Sequence, residues 1–308
     1  MTKPSIGMIG LGQMGKHIAV NLLGAGRSVL ACGRNPEILA ALRERGVETT
    51  SDTADLARCD LVFLCLPDGG VVRDILLGEN GIAASMHQGQ TIVDLSTIDH
   101  GTTVEIAEAL AAREIDFLDA PISGMEARAA DGTLTIMCGG APATFTALKP
   151  VLDTIGKTIL HMGPSGSGQL TKLINQLLFD INAAALAEIL PMAARMGLDP
   201  DKVAAVVNNG TGRSHASEFF LPRILRGNFS DGYPMRHAYK DLVAGAELGA
   251  RLCMPMPVLA AATATYQTAL RQGHGDLDKG GMVRVFERLL DVEFRSPPTP
   301  KTDGEQDV

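Results

Sequence analysis

A glycine-rich hexapeptide lies near the start of the chain, between a short apolar run and a helical pattern. Its residues are Gly10, Leu11, Gly12, Gln13, Met14 and Gly15. Between a strand and a helix, this spacing lets the backbone approach a pyrophosphate at the second glycine and lets helix and strand pack closely at the third. The N–H groups and partial positive charge of the helix start favour phosphate. The hexapeptide therefore predicts a dinucleotide site.

The residues after the second apolar run indicate which dinucleotide is bound. An acidic residue at this point would bind the ribose 2′-hydroxyl of NAD. The chain instead has Cys32-Gly33-Arg34-Asn35-Pro36, which contains no acid. Arg34 and Asn35 could hold a 2′-phosphate, with Arg34 stacking on the adenine. We predict a preference for NADP, with NAD also possible; the alternative is that Arg34 is a solvated loop cation.

A lysine lies within a long apolar helical pattern at residues 165–197. Lys172 shares a helix face with Asn175 and Gln176, apart from the stripe of leucine and isoleucine side chains. On composition alone it could be a solvated surface lysine. Charged residues interrupt the apolar run, which argues against a membrane span; they are Lys172, Asp180, Glu188 and Arg195.

Short apolar runs alternate with helical patterns up to about residue 163, and only helical patterns follow. The runs are typical of strands buried on both faces, at 6–9, 28–32, 61–66, 91–95, 115–118, 133–138 and 157–161. The helical patterns cover 13–23, 36–45, 71–77, 102–113, 143–152, 168–196, 200–209, 215–226, 238–253, 256–271 and 281–290. We predict an α/β Rossmann-type N-terminal domain with a parallel sheet (1–164). A long helix links it to an all-α C-terminal domain (165–294), and we expect the polar, proline-rich tail (295–308) to be disordered.

Charge and composition argue against several classes of function. A net charge of −8 and the absence of Trp argue against a nucleic-acid-binding surface. There is no HExxH or paired-histidine spacing, so we predict no catalytic metal. The five cysteines form no CxxC pair, which favours free thiols in a reducing compartment. The N-terminus shows no signal-peptide pattern, and we therefore expect a cytoplasmic protein.

Seven short motifs follow one another in order along the chain. They are GLGQMG at 10–15, CLPDG at 65–69, DLST at 94–97, DAPISG at 119–124, GTLTIMCGG at 132–140, GSGQLTKLINQ at 166–176 and KDL at 240–242. Over about residues 5–290 the chain thereby resembles the β-hydroxyacid dehydrogenase family, which includes 3-hydroxyisobutyrate dehydrogenase and 2-hydroxy-3-oxopropionate reductase. The resemblance implies an NAD(P)-dependent oxidoreductase that interconverts a small β-hydroxy acid and its semialdehyde.

The resemblance also implies catalytic and substrate-binding roles. Lys172 matches the catalytic lysine, which would give a proton to the carbonyl oxygen as hydride arrives and take it back in the reverse reaction. Beside a cationic nicotinamide and partly desolvated, its amine would have a lowered pKa. Ser123 and Gly124 match the segment that binds the substrate carboxylate. Asn175 and Gln176 could orient the lysine or hold a substrate hydroxyl.

Other matches surround the cofactor. Leu66, Pro67 and Thr97 match positions beside the nicotinamide half, and Lys240 matches a lysine that closes over the cofactor from the second domain. The long helix carries more apolar surface than one helix layer can bury. Together with the resemblance, this surplus implies a homodimer or homotetramer.

Some features leave the substrate open. Met125 follows Ser123-Gly124 where many relatives have a second glycine, which narrows the carboxylate segment or changes its backbone. Gln176 is similar to the 2-hydroxy-3-oxopropionate reductase branch, whereas the segment 210–215 is similar to the hydroxyisobutyrate branch. An imine reductase is an alternative, although in that group the lysine position is usually replaced. A non-catalytic dinucleotide-binding module is a further alternative.

Overall fold

A computed structural model describes residues 5–297 of the chain. It comprises two compact units that divide between Lys172 and Leu173, inside the longest helix. The boundary predicted from the sequence, between residues 164 and 165, lies just before that helix. The first turns of the helix belong to the first unit because side chains of that unit hydrogen-bond to them, as described below.

One mixed sheet forms the centre of the first unit. Its strands are β1 (Ile6–Ile9), β2 (Val29–Cys32), β3 (Glu48–Thr50), β4 (Leu61–Leu64), β5 (Thr91–Asp94), β6 (Asp116–Asp119), β7 (Ile122–Ser123), β8 (Leu134–Gly140) and β9 (Gly156–Gly163). Their order is β3-β2-β1-β4-β5-β6-β8-β7, with β9 paired to β8. The first six strands in this order are parallel, which confirms the predicted fold class. β8 runs antiparallel to β6 and β7.

Helices cover both faces of this sheet. They are α1 (Gly15–Gly24), α2 (Pro36–Glu44), α3 (Gly69–Leu77), α4 (His100–Ala111), α5 (Met125–Ala130) and α6 (Pro142–Leu152). Successive side chains of a strand point to opposite faces. Accordingly, Leu61 and Phe63 of β4 join the core that contains Leu42 of α2, whereas Val62 and Leu64 join the core that contains Ile106 of α4. Because both faces of these strands are buried, the strands appear in the sequence as continuous apolar runs. The sequence patterns did not predict β3, β7 or α5.

The second unit is helical throughout the described residues. The long helix α7 (Ser167–Arg195) leads into it, and α8 (Pro200–Asn209), α9 (His215–Leu225), α10 (Met235–Arg251), α11 (Pro257–Arg271) and α12 (Val283–Leu290) follow. The Asp199 side chain accepts hydrogen bonds from the N–H groups of Asp201 and Lys202 at the start of α8. This N-cap is the start signal expected from Asp199-Pro200.

A buried ion pair lies in the core of the helical unit. The Lys279 ammonium group contacts the Asp180 carboxylate, and the Tyr266 hydroxyl donates to the same carboxylate oxygen at 3.2 Å. The Lys279 nitrogen also lies 4.4 Å from the centre of the Phe179 ring, within range of a cation–π contact. By length and apolar composition alone α7 could cross a membrane. Core helices pass the same test, and Asp180 of α7 has its ion-pair partner inside the helical unit, so we interpret α7 as a core helix.

The end of the described chain differs from the sequence prediction. We expected disorder from Arg295, but its guanidinium group binds the Glu287 carboxylate, and the Ser296 N–H donates to the Leu225 carbonyl oxygen at 3.0 Å. A charge partner 8 residues earlier on α12 holds Arg295, and composition alone does not reveal such a contact. The rest of the predicted tail, 298–308, lies outside the described residues.

Candidate active site

The glycine-rich loop at 10–15 joins β1 to α1 at the carboxyl edge of the parallel strands. A Cβ atom at Gly15 would lie 1.9 Å from the Gly10 carbonyl oxygen, so α1 can begin this close to the turn only with glycine. A Cβ atom at Gly12 would meet no heavy atom within 4 Å, which leaves space for a pyrophosphate to approach the backbone. No side chain caps the start of α1, and its first turn has no acidic residue. The loop therefore fits a dinucleotide phosphate.

Two predicted phosphate ligands, Arg34 and Asn35, follow β2, and Arg34 is the more accessible of the two. The Asn35 side-chain oxygen accepts hydrogen bonds from the N–H groups of Glu37 (2.9 Å) and Ile38 (3.4 Å), so it caps α2. Arg34 is exposed and forms no ion pair within residues 5–297. Of the predicted pair, Arg34 is thus an exposed cation that is accessible to a phosphate. Asn35 has a structural role, because its side-chain oxygen caps α2.

A hydrogen-bond chain connects the loops that follow β4 and β5. The Leu66 N–H donates to the Ser96 hydroxyl oxygen at 2.9 Å, and the Ser96 N–H donates to Asp94 Oδ1 at 2.9 Å. These bonds fix the backbone at Ser96, just before Thr97, and at Leu66, next to Pro67. Asp94 is fully buried, and its Oδ2 has no hydrogen-bond partner among residues 5–297. Desolvation raises the pKa of Asp94 from 3.8 to about 6, partly offset by hydrogen bonds from Ser96.

The start of α7 is held against the same edge of the sheet. The Asp119 carboxylate at the end of β6 accepts from the Gly166 N–H (2.7 Å) and from the Gln169 N–H (3.0 Å). The Asp119 side chain therefore caps the N-terminus of α7, although Asp119 lies on a strand about 47 residues earlier. Burial raises the pKa of Asp119, and the backbone N–H donors oppose this rise. Lys172, one turn further along, is buried, with 8% of its surface exposed. Lys172 is therefore not the solvated surface lysine that composition alone allowed.

The predicted carboxylate segment forms a short strand and a tight bend. Ser123 in β7 is paired with Thr135 in β8. Gly124 has a φ of 144° and Met125 a φ of 60°, so the chain turns into α5 through two residues with positive φ. Met125 thus has a left-handed backbone that costs an L-residue about 1–2 kcal/mol. Its side chain is 44% exposed.

The segment after the bend is tied to the dinucleotide helix. The Glu126 carboxylate binds the Lys16 ammonium group at 2.8 Å and the His17 ring at 3.0 Å, both on α1. Hydrogen bonds from these two side chains lower the pKa of Glu126. The predicted carboxylate segment and α1 are therefore neighbours within the first unit.

The remaining predicted residues belong to the second unit. Asn175 is exposed, whereas the Gln176 side-chain amide donates to Asp241 Oδ2 at 3.4 Å. Lys240 precedes Asp241 on α10, so Gln176 and the predicted cofactor lysine lie on neighbouring helices of this unit. In the segment 210–215, Arg213 forms an ion pair with Glu218 at 2.5 Å.

Two residues of this arrangement were not assigned roles from the sequence. Ser96 and Gln169 lie inside the DLST and GSGQLTK motifs, and both link α7 to the strand ends. The Gln169 side chain donates to the Ser96 carbonyl oxygen at 2.8 Å and accepts from the Ile98 N–H at 3.2 Å. The sequence does show a glutamine about one helical turn before Lys172. Its partners could not be predicted from it, because they are about 70 residues away in the sequence.

Comparison with known proteins adds to this geometry. A family model described as the NAD binding domain of 6-phosphogluconate dehydrogenase matches residues 5–163, and one described as NAD-binding of NADP-dependent 3-hydroxyisobutyrate dehydrogenase matches residues 166–286. The 2-(hydroxymethyl)glutarate dehydrogenase of Eubacterium barkeri is 36% identical over 93% of this chain and 96% of its own length. The chain belongs to the β-hydroxyacid dehydrogenase family.

Further relatives agree with membership of the β-hydroxyacid dehydrogenase family. The 2-hydroxy-3-oxopropionate reductase of Escherichia coli is 34% identical over 92% of this chain and 97% of its own length. A crystal structure of 3-hydroxyisobutyrate dehydrogenase from Salmonella typhimurium superposes with a TM-score of 0.84, at 31% identity, over 92% of this chain and 100% of that one. The predicted family and fold are confirmed, and the protein is an NAD(P)-dependent hydroxyacid dehydrogenase.

Proposed function

We propose that this dehydrogenase uses NADP(H) to interconvert a short β-hydroxy acid and its semialdehyde, such as 3-hydroxyisobutyrate or 2-hydroxy-3-oxopropionate, with Lys172 as general acid and base. The observation that carries the proposal is a buried lysine on a helix whose first turn is bonded to the carboxyl edge of the dinucleotide-binding sheet. That edge is where ligands bind in open α/β sheets. Bound NADP(H) would supply or accept the hydride.

The side chains of the first unit then have distinct tasks. The Ser123 hydroxyl and the backbone N–H groups that follow it would hold the substrate carboxylate through charge-assisted hydrogen bonds. The Lys172 ammonium group would donate its proton to the carbonyl oxygen as the alkoxide develops. In the oxidative direction, the neutral Lys172 amine would accept the hydroxyl proton. Because the lysine is buried, bulk water does not compete for that proton transfer.

Lys172→Ala tests the acid–base role. We expect kcat to fall at least ~100-fold, the usual scale for a general acid, while the Kd for NADPH, measured by fluorescence titration, changes little. Lys157→Ala on β9 is the matched control, because Lys157 is an exposed lysine of the same unit. Near-normal turnover by Lys172→Ala would refute the assignment.

A panel of carbonyl compounds tests the reaction class and the substrate. NADPH oxidation should be fastest with one of succinic, methylmalonic or tartronic semialdehyde, with glyoxylate and a cyclic imine included as alternatives. Turnover of the imine alone would favour an imine reductase. Tight NADPH binding without turnover of any compound would favour a non-catalytic module.

The NADP preference depends on Arg34. Loss of a hydrogen bond to a charged group costs about 1.5–3 kcal/mol, which corresponds to a factor of roughly 10 to 100. We therefore expect Arg34→Ala to raise KM for NADPH by that factor and to leave KM for NADH unchanged. The exposed Arg45, at the end of α2, provides the control substitution. An NADH preference of the unmodified enzyme would contradict the proposal.

We also propose a homodimer or homotetramer in a reducing compartment such as the cytoplasm. All five cysteines are unpaired, in keeping with such a compartment. Exposed apolar side chains, at spacings of three, four or eleven residues, lie along one side of α7 and at its C-terminal end, which is unusual for a surface exposed to water. They are Ile174 (60% exposed), Leu178 (59%), Ile189 (54%), Met192 (48%) and Met196 (71%). A second copy of the chain is the proposed partner for this α7 stripe.

A further inference from the structure

Gln169 is a buried carboxamide three residues before Lys172 on α7, with 3% of its surface exposed. Its side chain bridges to the loop after β5, where it contacts the Ser96 carbonyl oxygen and the Ile98 N–H. Its own N–H donates to the Asp119 carboxylate. A single residue thus connects the first turn of α7 to the ends of β5 and β6.

The connection continues to the loop after β4. Ser96 is bonded through its carbonyl group to Gln169 and through its hydroxyl group to the Leu66 N–H. The loop with Leu66 and Pro67, the loop with Thr97 and the start of α7 therefore form one hydrogen-bonded assembly. None of the groups in the Leu66–Ser96–Gln169 chain carries a charge, so salt screens these bonds little.

We propose that Gln169 is a positioning residue that sets the location of the Lys172 amine relative to the loops at Leu66-Pro67 and Thr97. This inference rests on the proposed acid–base role of Lys172. Residues three apart lie on the same side of a helix, and the rise of 1.5 Å per residue separates them by about 4.5 Å along the axis. A shift of the first turn of α7 is thereby transmitted to Lys172, and a displacement of about 1 Å at a reacting group can cost ~100-fold in rate.

The chemistry of the bridge requires an amide. One atom must accept from the Ile98 N–H while its neighbour donates to the Ser96 carbonyl oxygen, and a carboxamide does both. An ionised carboxylate would repel the Ser96 oxygen and would add negative charge near the buried Asp119. A methionine of similar size would leave the Ser96 and Ile98 groups without their partner, and buried groups left unpaired are destabilising.

Gln169→Met tests the proposal, with Gln90→Met as the matched control. Gln90 is also buried, and its amide donates to the Ala57 and Cys59 carbonyl oxygens at 2.7 Å, but it precedes β5 at the opposite edge of the sheet. Both variants should lose a similar amount of thermal stability. Only Gln169→Met should lose kcat, by at least ~10-fold, with a shifted pH profile of kcat and a Kd for NADPH within about threefold of the parent enzyme.

A double-mutant comparison separates this inference from the function on which it rests. If Gln169 acts through Lys172, then Gln169→Met should lower kcat little further in the Lys172→Ala background. Equal losses in both backgrounds, or equal kcat for Gln169→Met and Gln90→Met, would overturn the positioning role. Near-normal turnover of Lys172→Ala would instead refute the proposed function itself.

Gln169→Glu provides a second variant should the methionine variant fail to fold. A protonated carboxylic acid can donate and accept like the amide, whereas the ionised form cannot donate. Burial and the neighbouring Asp119 carboxylate raise the pKa of a glutamic acid at this position, so the kcat of Gln169→Glu relative to the parent enzyme should decline as the pH rises from 6 to 8. A ratio that is constant or rises over this range would contradict the bridge.

Discussion

The buried carboxyl group of Asp94 should make the stability of the first unit fall as the pH rises. Asp94 ends β5 with no exposed surface, and its Oδ2 lacks a hydrogen-bond partner among residues 5–297. Desolvation is the largest cause of its raised pKa, and the charge of Asp119 adds to it. Hydrogen bonds from Ser96 oppose the rise without cancelling it.

The magnitude follows from linkage. The pKa of Asp94 is about 6 in the folded state, and the ordinary value of 3.8 applies to the unfolded state. Between pH 3.8 and about pH 6 the folded state therefore binds more protons than the unfolded state. Stability then decreases with rising pH. The full difference of about 2 between the two pKa values corresponds to about 3 kcal/mol, which is reached above roughly pH 7. Between pH 5 and pH 7.5 the expected change from this group is about 1 kcal/mol.

Urea unfolding at several pH values measures this change in the parent enzyme and in Asp94→Asn, which cannot ionise. Contributions from other groups largely cancel in the difference between the two free energies of unfolding. That difference should move by about 1 kcal/mol from pH 5 to pH 7.5, with the parent enzyme losing stability relative to the variant. Asp116→Asn, at the exposed start of neighbouring β6, controls for the removal of one charge. Parallel pH dependences of the parent and Asp94→Asn would refute the reasoning.

Three further outcomes are expected. Lys279→Met should lower the free energy of unfolding by about 3–5 kcal/mol, because it leaves the Asp180 carboxylate buried without its partner; urea unfolding measures the loss, and the double change with Asp180→Asn should recover much of it. Met125→Gly should relieve the left-handed backbone strain at this position and widen the predicted carboxylate segment. Steady-state kinetics should then show a higher kcat/KM for bulkier semialdehydes. An unchanged order of substrates would argue against a role of Met125 in substrate specificity. Ile189→Glu should dissociate the oligomer in sedimentation velocity, whereas Leu289→Glu, at an exposed leucine of α12, should not.

Local patterns were sufficient for much of the fold. The apolar runs and the glycine-rich loop predicted β1, β2, β4, β5 and β6 with bounds within about two residues, because strands buried on both faces leave a continuous apolar signal. The two-residue strand β7 and the short helix α5 left no such signal. β7 exists because Ile122 and Ser123 pair with β8, and a contact with residues more than ten positions away is invisible to periodicity.

The candidate site divides in the same way. The residue types and spacing at 10–15 predicted the dinucleotide site, because binding a pyrophosphate places narrow chemical demands on individual positions. The roles of Ser123 and Lys172 and the hydroxyacid dehydrogenase activity were implied by the resemblance to the β-hydroxyacid dehydrogenase family. The burial of Lys172, the cap that Asp119 provides for α7 and the Gln169–Ser96 bridge emerged only in the folded chain. The Asp119 cap joins segments 47 residues apart, and the Gln169–Ser96 bridge joins segments 73 residues apart. Such partners meet only where parallel strands end at a common edge, so the tertiary structure, rather than any local pattern, decided how the lysine is held.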